Sequence, residues 1–245
     1  MEAKIAIPSH ERPELLKQTL QRIKNYNFNQ TPYVFLADKK QLEKYKSITD
    51  CQFIITNTKG IQKTRNFIYS FFDVNDFVIC FDDSFTGLVK KNKKKLIDFV
   101  DVKKLCDVGY NEMKKKGTCM FGINIVENPF FMKNIIQFGN YLLSAKFCGF
   151  IKQPTKIMES INYSGLCEDQ ETCLRVVSFY GGVIRFSGIS FNKPKYRQFE
   201  GGVQSQFNKE ERAKAHKTGC KILFKMFPDY CKLKEGGNGL RLKKI

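Results

Sequence analysis

Over the first 85 residues, short apolar runs alternate with amphipathic stretches. Lys4 to Ile7 (KIAI), Tyr33 to Ala37 (YVFLA), Phe53 to Thr56 (FIIT) and the run from Val78 (VICF) are β-branched and aromatic, as buried strands are. Between them, Leu15, Leu16, Leu20 and Ile23 recur at helical spacing behind Pro13, which suits a helix start with Ser9 or His10 near the cap. Further helices are predicted through Leu42 and Tyr45, and through Phe67, Ile68, Phe71 and Phe72. Strands alternating with helices predict a mostly parallel sheet.

The fourth run, Val78 to Phe85 (VICFDDSF), stops on two adjacent aspartates. Ligands of open α/β sheets gather at the carboxyl ends of strands, so Asp82 and Asp83 sit where a hard cation and a phosphorylated ligand could meet. An Asp-rich turn is the plain alternative. No G-x-G-x-x-G follows the first strand and no G-x-x-x-x-G-K-[ST] occurs, so neither a dinucleotide fingerprint nor a P-loop supplies the chemistry.

Downstream the pattern predicts a helix through Leu105 to Met113 and a strand at Met120 to Val126, then a break at Asn128 and Pro129. A strand at Ser144 to Ile151 carries Gly149 for a bend or a close backbone approach. A helix beginning at Cys167 has carboxylates in its first turn, where the helix dipole favours them. Val183 to Phe191 returns as strand, followed by a Gly-Gly turn, a helix from Glu210 to Phe227 and a Gly-rich basic tail. Without a linker or repeat, one α/β domain is the simpler account.

Composition narrows the class. Hydrophobic residues make up 42% of the 245 positions, enough for a core, and no apolar run approaches the ~18 residues of a membrane span. The N-terminus leads into a polar turn rather than a signal-peptide core, so a soluble, cytoplasmic protein is expected. Nine cysteines without a C-x-x-C pair, with His10 and His216 as the only histidines, argue against a structural zinc site and for reduced, buried thiols. His216, on a Lys-rich helix, is expected to be exposed rather than a metal ligand. The net charge of +18 makes polyanions plausible partners. Much of the excess is lysine, in a composition also rich in Asn, Ile and Phe, which dilutes that inference. The clusters Lys90, Lys91, Lys93, Lys94 and Lys95 (KKNKKK), Lys114 to Lys116 and the LRLKKI tail suit a phosphate backbone, or simply a solvated face.

Four segments form a set: PSHERPELL after the first strand, KGIQKTRN before the third long helix, FDDS, and GLCEDQETCLR. The set resembles the GT-A nucleotide-sugar glycosyltransferases of the family-2 type. The fold this implies is a single GT-A domain at 1–245, a Rossmann-like, mostly parallel mixed sheet flanked by helices. Residues 1–85 would form the nucleotide-sugar half, and 86–245 the acceptor half with a closing C-terminal segment. FGINIVENPFF, KFCGFI, CEDQE with a later Arg, and YRQFEGGVQS are similar to the narrower group of TET-associated glycosyltransferases of bacteriophages and related elements, and to the C-terminal domain of the GREB proteins.

The resemblance implies transfer of a sugar from a nucleoside-diphosphate donor such as a UDP-sugar to 5-hydroxymethylcytosine or a related hydroxymethylpyrimidine in DNA. The partners are then DNA and nucleotide-sugar, with no membrane, and the protein is expected as a monomer. By that likeness Pro8, Ser9, His10 and Arg12 face base and ribose, Lys59, Gly60 and Arg65 the phosphates, and Asp83 and Asp82 hold Mn²⁺ or Mg²⁺, Asp82 also serving the ribose. The adjacency of the two acids departs from an Asp-x-Asp spacing and leaves their division of labour open. Asp169 is the implied base, since an alcohol needs one in reach to become a good nucleophile, with Glu168 orienting it. Arg197, Gly201, Gly202 and Gln204 form a loop suited to closing over the diphosphate, and Lys90 to Lys95 would follow the DNA backbone. A transferase acting on protein or glycan, and a non-catalytic DNA-binding module on a transferase scaffold, are the competing readings.

Overall fold

The structure is a computed structural model and describes residues 2–161, 166–192, 208–237 and 239–244. Its first half follows the predicted alternation: β1 (Lys4–Ser9), α1 (Pro13–Asn25), β2 (Tyr33–Leu36), a 3₁₀ turn (Lys39–Gln41) running into the single-turn α2 (Leu42–Tyr45), β3 (Gln52–Ile55), α3 (Ile61–Phe71) and β4 (Phe77–Phe81). These four strands are all parallel, in the order β3-β2-β1-β4.

The second half is mixed. It comprises β5 (Leu88–Asn92), β6 (Lys95–Phe99), α4 (Val102–Lys116), β7 (Met120–Asn124), β8 (Ile136–Gly139), β9 (Phe147–Ile151), α5 (Glu168–Tyr180), β10 (Val183–Phe191) and α6 (Lys209–Met226). A short hairpin, β11 (Cys231–Leu233) with β12 (Leu240–Leu242), follows. Strands β1 to β10 form one continuous α/β sheet, ordered β3-β2-β1-β4-β9-β7-β10-β5-β6, with β8 beside β10. Strand β9 enters antiparallel between β4 and β7, and β10 lies parallel to β7.

Alternation along each strand sends side chains to two cores. Ile5, Ile7, Ile79 and Phe81 pack with Leu16 and Leu20 of α1 and Leu105 of α4. On the other face Ala6, Val78 and Cys80 pack with Ile68 and Tyr69 of α3 and Val176 of α5. A third, smaller core joins α6 and the β11–β12 hairpin to Leu166 and Leu174. Gly149 is where two layers meet: a Cβ there would lie 2.0 Å from the Phe121 ring, the close approach its position suggested.

Three pairings were not predicted. The lysine cluster forms the edge hairpin β5–β6, whose turn carries Lys93 at φ 54°. Strand β5 buries only its first two residues, Leu88 and Val89, and the edge strand β6 is mostly exposed, so neither shows an apolar alternation, and lysine suits an edge by discouraging further pairing. The tail LRLKKI contributes β12, and Ile136–Gly139 becomes β8, both too short to show a period.

Candidate functional site

Parallel pairing places the loops after β1, β3 and β4 at one edge of the sheet, and these are the PSHER, KGIQKTRN and FDDS segments. Strand β10 runs parallel to β4 by way of β9 and β7, and α5 joins it through the left-handed Gly181. The helix therefore runs back against β10, and its start, Glu168 and Asp169, arrives at that same edge. Only the sheet order brings the fourth segment to the other three.

The two adjacent aspartates part company. Continuing the alternation of β4, Asp83 follows Ile79 and Phe81 toward α1, and Asp82 follows Val78 and Cys80 toward α3 and α5. Asp83 is 4% exposed and enclosed by the first loop. Ser9 Oγ donates to its Oδ2 at 2.9 Å and the His10 N–H at 3.4 Å, while Arg12 Nη1 pairs with Oδ1 at 3.4 Å. Tyr45, fully buried, braces this loop: its hydroxyl lies 2.8 Å from Ser9 Oγ and accepts from the Arg12 N–H at 2.9 Å. Thr19 Oγ1 donates to the Asp83 carbonyl at 2.8 Å. Burial, then the charge of Asp82, pushes Asp83 up to about 7 against the pull of Arg12.

Asp82 is half-buried, and its Oδ2 accepts from Ser84 Oγ at 2.9 Å. Across from it lies Arg65 of α3, ion-paired with Glu168. Burial works against the Arg65 charge, but Glu168, Asp82 and Asp169 together hold the guanidinium firmly protonated. Burial raises the proton affinity of Glu168 and of Asp169, and Arg65 opposes the rise in both. Asp169 Oδ1 accepts from the Gln170 N–H at 2.8 Å. One buried cation thus stands among three carboxylates drawn from a strand end and a helix start.

The framework behind this cluster was missed from the sequence. Glu171 is completely buried and accepts from Ser160 Oγ at 2.6 Å, the Ile161 N–H at 2.8 Å and Arg175 Nε at 2.8 Å. Asn66 both donates to the Ser160 carbonyl at 2.8 Å and accepts its N–H at 2.9 Å, and Gln62 adds a bond at 3.1 Å. The Arg-Asn pair of KGIQKTRN therefore fastens α3 to α5 twice, Arg65 through Glu168 and Asn66 through the 158–161 segment. The i, i+4 spacing of Glu171 and Arg175 was the available signal. Tyr45 had none, because its partners lie more than 30 residues away.

Other predicted residues distribute more widely. Pro8 lines a small cleft with Arg65, Tyr69 and Cys80. Lys59 is exposed, and Gly60, at φ 90°, caps α3 in a conformation that favours glycine. The β5–β6 hairpin leaves directly from the loop after Asp83, with Lys93, Lys94 and Lys95 exposed, whereas Lys91 donates to the Met132 carbonyl at 2.6 Å and Lys90 lies over the Phe99 ring. Arg197, Gly201, Gly202 and Gln204 lie outside the described residues. His216 departs from expectation: it is half-buried, its ring nitrogens 3.8 and 3.9 Å from Cys220 Sγ, because α6 packs against the start of α5. Among the described residues no helix is long and apolar enough to cross a membrane.

No family model and no curated protein matches the sequence. Among solved structures, the chain is similar to CMP:2-keto-3-deoxy-manno-octonic acid synthetase complexed with CTP, at 10% identity and TM-score 0.44, over 76% of this chain and 88% of that one. Mannose-6-phosphate isomerase from Helicobacter pylori aligns at 10% identity and TM-score 0.37, over 76% and 87%. Likenesses this distant carry no argument about chemistry, which rests on the residues themselves.

Proposed function

We propose that the protein is a glycosyltransferase that moves a sugar from a nucleoside diphosphate, a UDP-sugar by resemblance, to the hydroxyl of 5-hydroxymethylcytosine or a related hydroxymethylpyrimidine in DNA. The observation that carries the reading is the convergence of Asp82, Arg65, Glu168 and Asp169 at the carboxyl edge of the sheet, from three segments far apart in sequence.

In a direct displacement the acceptor oxygen attacks the anomeric carbon. The bond from that carbon to the phosphate oxygen breaks, and the diphosphate leaves with the electron pair. The hydroxyl proton passes to Asp169, whose burial makes it a better base than an exposed carboxylate. Glu168, fixed by Arg65, positions the start of α5 and with it Asp169. Arg65 and the exposed Lys59 supply positive charge for the diphosphate. The half-buried Asp82 carboxylate, with Ser84 beside it, offers the oxygen donors that Mg²⁺ or Mn²⁺ prefers, and such an ion would neutralise the leaving group. Asp83, enclosed by Ser9 and Arg12, instead shapes the first loop into one wall of the nucleotide site.

DNA as the acceptor carrier is supported by the lysine hairpin that begins where the acidic loop ends, and by the neighbouring Phe130 and Phe131, 83% and 66% exposed. Lysines that follow phosphates next to rings on which bases stack suit an opened strand or an extruded base. Incubation with nucleotide-sugars, Mn²⁺ and hydroxymethylated DNA, followed by nucleoside mass spectrometry, is expected to show one sugar added per modified base. Asp82→Asn and Asp169→Asn are each expected to slow the gain by at least about 10²-fold. Absence of any gain with every donor, or transfer to a saccharide in place of DNA, overturns the reading.

A further inference from the structure

We propose a second, soft metal site, independent of the transferase reading, in which Cys167, His216 and Cys220 bind Zn²⁺. Among the described residues these three form a group whose ligand atoms all lie within 4.8 Å of one another. Cys220 Sγ is 3.8 Å from His216 Nδ1 and 3.9 Å from Nε2. Tetrahedral zinc, with bonds of about 2.3 Å to sulfur and about 2.0 Å to nitrogen, sets its ligand atoms about 3.5 to 3.8 Å apart. A contraction of about 1 Å at most closes the site around an ion.

The local structure is built to present these donors. His216 and Cys220 stand one turn apart on α6, the i, i+4 spacing that puts two ligands on one helical face. Cys167 reaches them from the cap of α5 at φ 73°, a left-handed conformation that residues other than glycine rarely adopt. Cys167 and Cys220 are buried, and the surrounding shell of Leu166, Leu174, Leu223 and Phe227 is apolar. Cys231, buried in the same core, is directed elsewhere, its thiol donating to the Phe227 carbonyl at 3.3 Å. Two thiolates and an imidazole select zinc over the hard cations that carboxylates take. Among the described residues three donors are present, which leaves one position of a tetrahedral ion open to a further ligand.

The absence of a C-x-x-C pair argued against zinc, but the ligands come from positions 167, 216 and 220. Their union requires α6 to lie across the start of α5. The ion would therefore tie α6 to the residue preceding Glu168 and Asp169.

The test is the metal content of the reduced, gel-filtered chain. About one zinc per chain is expected, falling to near zero in Cys167→Ser and Cys220→Ser and retained in Cys231→Ser. Cobalt added to the metal-free wild-type chain is expected to give visible ligand-field bands with thiolate-to-cobalt charge transfer, a readout that needs no variant to fold. A chain that yields neither zinc nor that spectrum, zinc retained in Cys167→Ser, or a Cys167–Cys220 disulfide in the reduced preparation overturns the proposal. Sugar transfer is measured in none of these arms, so failure here is separable from failure of the transferase reading.

Discussion

Two pairs of adjacent acids meet at the candidate site, Asp82–Asp83 and Glu168–Asp169, and the structure treats them alike by different means. In each pair one member is ion-paired to an arginine, Asp83 to Arg12 and Glu168 to Arg65. The strand does this by alternation, turning neighbours to opposite faces. The helix does it within its first turn, where adjacent residues diverge by about 100°. The strand pair thus spans two layers of the protein, whereas the helix pair keeps both acids in one cluster. Adjacency in sequence means separate surroundings in the first case and shared surroundings in the second.

Substitutions can break that parallel. Asp169→Asn is expected to lower the transfer rate about 10²- to 10⁴-fold with the fold retained by circular dichroism, the scale of a lost general base. Asp82→Asn should cost more activity than Asp83→Asn, and equal losses in the two would sink the division of labour drawn from strand alternation. Arg65→Met removes the ion-pair partner of Glu168 at a site where both side chains are nearly buried, and is expected to destabilise by about 3 kcal/mol in denaturant unfolding. Adding Glu168→Leu should recover much of that loss, and a double-mutant cycle reads the coupling.

Smaller effects sharpen the picture. Glu171→Gln weakens three bonds to a buried carboxylate and is expected to cost about 2 kcal/mol, measured by urea midpoint. Asp83 gives a pH signature. Its folded value of about 7 lies above the ~3.9 of an unfolded aspartate, so its contribution to stability is complete below about pH 4 and is lost as pH rises through about 7. In the presence of a chelator, the wild-type chain should therefore lose stability relative to Asp83→Asn between about pH 4 and pH 7. A constant difference between the two across that range would show that the carboxyl is not perturbed.

Legibility fell off with contact distance. The strands, the acidic end of β4, the helix opening at Cys167 and the tight approach at Gly149 were readable because period, turn chemistry and helix-start charge are local. The edge hairpin was not, since β5 buries only Leu88 and Val89 and β6 is mostly exposed, which leaves no apolar period to read. Tyr45 gave no signal, because its role is defined by Ser9 and Arg12 more than 30 positions away. His216 was misjudged as exposed because a Lys-rich helix says nothing about which partner covers one of its faces.

The amino-acid order by itself determined an alternating α/β chain, a parallel first half of the sheet and four polar segments at element ends, because backbone preference and hydrophobic period act over a few residues. Tertiary structure decided that the fourth segment joins the first three, that Asp82 and Asp83 face different layers, and that Cys167 meets His216 and Cys220. Each of those facts depends on sheet order and helix packing, which are set by burial summed over the whole chain rather than by any neighbouring residue.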